Sequence, residues 1–106
     1  MPRPPIRIRT VDDRMNLVGE RVKAIRRMDG LSQDQLCGRI SSITRGLWGP
    51  TADDIYRIEA GSRIVSDLEM VAIAAALNRE CDDFIQPAPG RQSAKELAAS
   101  LFGGDA

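Results

Sequence analysis

The chain has 106 residues, enough for one compact domain with short appendages and too few for two cores of ordinary size. Hydrophobic residues make up 42% and charged ones 28%, which excludes a disordered or fibrous body, and no run approaches the roughly 20 apolar residues of a membrane span. Formal net charge is zero, yet residues 1 to 50 carry ten Arg/Lys against five Asp/Glu and residues 51 to 106 carry the reverse, so a basic front half precedes an acidic back half.

Residues 1–12 read as a basic arm, because Pro2, Pro4 and Pro5 are interleaved with Arg3, Arg7 and Arg9 and bar an early helix. The arm is either a solvated tail or a segment that follows DNA. A first helix is predicted over residues 13–28. Leu17, Val18, Val22, Ile25 and Met28 form its apolar side, Glu20, Arg21, Lys23 and Arg27 the other, and Gly30 ends it.

Ser32 followed by Gln35 is a capping box that opens a second helix, with Leu36, Ile40 and Ile43 on one face. That helix is expected to reach Thr44 or Arg45 before Gly46, leaving Leu47 and Trp48 to pack near its end and Gly49-Pro50 as a turn. Thr51 with Asp54 opens a short third helix that turns Ile55 and Ile58 inward and closes at Gly61. Ser66 with Glu69 opens a fourth, for which Leu68, Val71, Ala72, Ala75 and Leu77 are the expected buried stripe, with Asn78 as its left-handed cap.

A brief fifth helix is expected near residues 81–85, with Asp82 and Asp83 as its first-turn acids. Pro87, Pro89 and Gly90 mark residues 86–92 as a linker. After it, Ser93 and Glu96 cap a short C-terminal helix in 93–106 whose Ala94, Leu97, Ala98 and Leu101 need a surface to pack on. With only four aromatic residues, the core has to be aliphatic. The expected fold is all-α: an orthogonal bundle of five helices in residues 13–85, plus the short C-terminal helix.

Cys37 and Cys81 lie in apolar patterns, and the chain has no histidine, so neither a familiar zinc site nor a Cys-His nucleophile is assembled. No paired base and nucleophile or glycine-rich phosphate loop is present either. Catalysis, metal and cofactor are therefore not expected, and the lack of an apolar leader segment places the expected location in the cytoplasm.

The run Val18-Gly19-Glu20-Arg21-Val22, with Ile25-Arg26, Gly30-Leu31-Ser32-Gln33, Leu36, Ile55, Arg57-Ile58-Glu59-Ala60-Gly61 and Ile73-Ala74 to Leu77, resembles the Cro and phage-repressor (xenobiotic-response-element) helix-turn-helix family. The resemblance covers residues 17–85 and implies a repressor-like bundle that binds double-stranded DNA, as a homodimer, to regulate transcription. It makes Ser32 the cap and Gln33 a phosphate contact at the start of the second helix. The third helix becomes the recognition helix, with Ala52, Asp53 and Arg57 at base edges, Thr51 beside the backbone, and Ser62 and Arg63 near phosphates. Arg26 and Glu59 match an internal ion pair that holds that helix in place.

Two departures from the family pattern stand out. About eight extra residues lie between Leu36 and Gly61, and they are expected to lengthen the second helix. Asp53 and Asp54 stand where the family more often has neutral or basic residues. They act as capping and dipole partners, or Asp53 accepts a hydrogen bond from cytosine beside an Arg57 bound to guanine, or both repel DNA and leave a protein-binding module. In that alternative the chain is antitoxin-like or an adaptor, and the C-terminal helix grips a protein partner.

Overall fold

A computed structural model describes residues 8–85 and 93–103. Among these residues the chain forms six α-helices and no strand: α1 (Gly19–Met28), α2 (Gln33–Ile43), α3 (Ala52–Ala60), α4 (Asp67–Ala76), α5 (Asp82–Ile85) and α6 (Ala94–Phe102). The proline-rich part of the arm, the whole linker 86–92 and residues 104–106 lie outside the described residues.

Local chemistry sets most of the helix ends. Ser32 with Gln35, Thr51 with Asp54 and Ser66 with Glu69 all form reciprocal capping boxes: the hydroxyl accepts the third amide of the helix while the longer side chain accepts the amide of the cap. At the end of α1, the Leu31 amide reaches back to the Arg26 carbonyl and the Gly30 amide to that of Arg27, with Gly30 at φ 70. This closure needs a residue at positive φ, as does the end of α4, where Asn78 sits at φ 55.

The helices pack around one aliphatic core. α2 lies on α3 and α4, and α1 on α3 and α5. Val22, Leu36, Ile40, Ile55, Ile58, Ile73, Leu77 and Phe84 are fully buried where these elements meet, and the free thiols of Cys37 and Cys81 pack half-buried against them. No helix among the described residues is long and apolar enough to cross a membrane.

Three expectations need correcting. The first helix starts at Gly19 rather than at residue 13: Asp13 takes a left-handed φ of 63, Val18 is the N-cap residue, and the Asn16 side-chain oxygen accepts the Gly19 amide at 2.8 Å. Met28, expected on its inner side, is exposed.

The second helix ends at Ile43 with Thr44 as its C-cap, close to the expected end, and the following residues form a loop to α3 in which Leu47 does not pack as expected. The Thr44 hydroxyl bonds the Ile40 carbonyl and accepts the Trp48 amide, while Arg45 and Gly46 both turn left-handed at φ 55 and 78. Trp48 does pack against the core, but Leu47 is 93% exposed.

In α4 the inward residues are Met70, Ala72, Ile73, Ala74 and Ala76, with Leu77 just beyond the helix. Leu68, Val71 and Ala75 face outward. The helix is apolar nearly all round, so periodicity alone did not select its buried face.

The Val11 amide donates to the Leu101 carbonyl of α6 at 2.8 Å, and no residue of α6 is fully buried.

Candidate functional site

α3 divides sharply into two faces. Ile55, Ile58 and Glu59 are buried, while Asp53, Tyr56 and Arg57 are exposed, Tyr56 by 60%. Ala52 and Thr51 complete the exposed N-terminal end, Ala52 half-buried and Thr51 open.

From behind, the helix is fixed by the pair Arg26–Glu59. Two nearly parallel bonds of 2.6 and 2.9 Å join the guanidinium to the carboxylate, and both residues are buried. The third guanidinium nitrogen donates to the Leu31 carbonyl at 2.7 Å, and the Gln33 side-chain amide donates to Glu59 at 3.1 Å. The start of α2, the end of α1 and the middle of α3 are thereby joined in one network. The hydrogen bonds to Glu59 push the Arg26 pKa above its ordinary value, and among the described residues every buried side-chain polar atom has a partner. Removing one member of such a pair costs about 3–5 kcal/mol, because the other stays buried and charged.

The C-terminal end of α3 is held by the turn that precedes α1. Its last carbonyls lack partners within the helix. The Arg14 guanidinium donates to the Glu59 carbonyl, the Met15 amide to Gly61, and the Asn16 side-chain amide to both Ile58 and Arg63, all within 2.7 to 3.0 Å. The roles of Arg14 and Asn16 were not read from the sequence, where both fell inside a predicted helix. Asn16 lies two residues before the N-cap residue Val18, so capping spacing gave no signal for it.

On the outer face Arg57 lies between two carboxylates of its own helix. Its Nε is 3.2 Å from Asp53, and one terminal nitrogen donates to Asp54 at 3.0 Å. Asp54 also accepts the Thr51 amide and hydroxyl, and chiefly the amide lowers its pKa below the usual carboxylate value. The Nη1 end of Arg57 has no partner among the described residues.

The other expected contact residues are distributed unevenly. Ser32 is exposed, and its hydroxyl is committed to the Gln35 amide. Ser62 is exposed beside the end of α3. Arg63 is engaged within the molecule: two nitrogens bond Glu69 at 2.9 and 2.8 Å, one also reaches the Ile64 carbonyl, and the guanidinium lies 5.9 Å from the centre of the Trp48 ring. Tyr56, one position before Arg57 and three after Asp53, belongs to the outer face and was missed by the sequence reading.

Among the described residues no group of three or more His, Cys, Asp or Glu is placed to hold a metal ion. Compared with family models, curated proteins and solved structures, the chain matches none.

Proposed function

We propose that the protein is a sequence-specific regulator of the repressor type that binds double-stranded DNA and enters the major groove with α3. The observation that carries this reading is the pairing of an exposed face bearing Asp53, Tyr56 and Arg57 with a buried ion pair, Arg26–Glu59, that immobilises the same helix from behind. A helix of about 10–12 Å diameter fits a groove about 12 Å wide. The family resemblance of residues 17–85 points the same way, toward a repressor-like helix-turn-helix in which α2 and α3 are the two helices.

In this reading the free end of Arg57 bonds guanine, and Asp53, held beside it, accepts from a neighbouring cytosine. The carboxylates also weaken attraction to phosphate, so affinity depends more on bases than on charge. Gln33 binds a phosphate with the side-chain amide hydrogen not given to Glu59, together with the backbone amides at the α2 N-terminus, and Ser32, Thr51 and Ser62 lie alongside. Arg63, committed to Glu69, shapes the loop. Two copies would read a two-fold site.

The test is selection of bound fragments from random duplex DNA across a salt series. The expected result is one enriched motif, with discrimination at one position reduced by about 5- to 150-fold in Arg57→Ala. Gln33→Ala is expected to weaken all sequences alike, and Asp53→Asn to tighten binding while narrowing the gap between specific and random DNA. Absence of an enriched motif, or undiminished selectivity in Arg57→Ala, rejects the proposal. A protein-interaction module is the second reading, favoured by α6, whose Leu97, Leu101 and Phe102 all stay at least partly exposed.

A further inference from the structure

We infer that Tyr56 makes α3 a reader of the pyrimidine C5-methyl group, next to the guanine bonded by Arg57; the inference rests on the DNA-binding reading and adds to it a ligand group that hydrogen bonds do not sense. Tyr56 is the only tyrosine of the chain and is 60% exposed. Among the described residues its hydroxyl has no hydrogen-bond partner and its ring meets no cation. Nothing polar in the fold uses it.

The outer face of α3 consists of two rows of different chemistry, since residues four apart lie one above the other on a helix. Asp53 and Arg57 form a charged row, joined at 3.2 Å. Ala52, Tyr56 and Ala60 form the row beside it, which carries no charge and, apart from one hydroxyl, no polar group. Ala60 is exposed and Ala52 half-buried, so the aromatic ring stands out between two methyl groups.

Chemistry narrows what such a row can meet. The base edges in a major groove offer hydrogen-bond donors and acceptors and one apolar group, the C5-methyl of thymine. A methylated cytosine carries the same group. A charged row beside an uncharged one therefore matches a guanine bonded by Arg57 beside a methyl-bearing pyrimidine on which the Tyr56 ring packs. Asp53, one turn from both Tyr56 and Arg57, sorts the two sources: it accepts from the amino group of a methylated cytosine, whereas thymine presents another acceptor there. The competing use of Tyr56 is a phosphate contact through its hydroxyl.

The experiment measures binding of the full chain to its selected duplex, with each thymine in turn replaced by uracil, which removes only the methyl, and each cytosine by its C5-methylated form, which adds only the methyl. At one pyrimidine beside the Arg57-dependent guanine, the methyl is expected to tighten binding about 4-fold, the worth of burying one such group. A response to uracil identifies thymine as the source, and a response to methylation identifies cytosine. The effect is expected to vanish in Tyr56→Ala and to survive in Tyr56→Phe, with the melting of both variants unchanged because the residue is exposed. No methyl effect in the native chain, one that persists in Tyr56→Ala, or an equal loss on all sequences in Tyr56→Phe overturns the inference and leaves the selected motif standing. Failure to select any motif rejects the DNA-binding reading itself, and this inference with it.

Discussion

Gly19 shows how closely single atoms are fitted where the first helix crosses the third. A β-carbon added there would overlap the Ile58 carbonyl oxygen, with Arg14 and Asn16 closing the other sides at 3.0 Å. The obstruction is backbone and cannot rotate away. Gly38, in the middle of α2, is exposed and meets nothing within 4 Å. The same change therefore has opposite signs at the two positions. Gly19→Ala is expected to destabilise by about 3 kcal/mol, the upper end for overpacking, while Gly38→Ala stabilises by about 1 kcal/mol through helix propensity. Urea midpoints at constant slope measure both, and equal responses at the two glycines would contradict the crossing geometry.

Elements were legible in proportion to how locally their ends are determined. Ser32, Thr51 and Ser66 each close a capping box with a residue three positions on, so the starts of α2, α3 and α4 followed from spacing alone. Thr51→Ala removes one such box and is expected to cost about 1 kcal/mol in a thermal melt; a change below a few tenths would show that α3 is held by packing alone. The features that escaped depend on residues far away in the chain. Asn16 accepts the first amide of α1, that of Gly19, while bonding carbonyls more than forty residues downstream, and the buried side of α4 was chosen by the packing of α2. Within the candidate site, the pairing of Arg26 with Glu59 came from the family resemblance, and local pattern was silent on it. The commitment of Arg63 to Glu69 needed the folded loop, because a spacing of six has no helical meaning there.

Across the whole molecule, acid sensitivity follows from two carboxylates. The paired guanidinium of Arg63 holds Glu69 below its ordinary pKa, and the Thr51 amide does the same for Asp54. Both are depressed in the folded state, so each contributes stability that is present above the unfolded value and is lost as pH falls through the folded one. The melting temperature is therefore expected to stay level near neutrality and to fall below about pH 4. Glu69→Gln is expected to flatten part of that fall at the cost of stability at pH 7; an unaltered acid limb would exclude the Arg63 pair as its source.

The turn at residues 14–16 limits how portable α2 and α3 are. A designer grafting only those two helices onto another scaffold would strip the donors from the Glu59 and Gly61 carbonyls, leave the Ile58 carbonyl with the Gly61 amide alone, and leave the Glu59 carboxylate without its guanidinium. A transplant that keeps the helix aimed has to bring Arg14 through Arg26 with it.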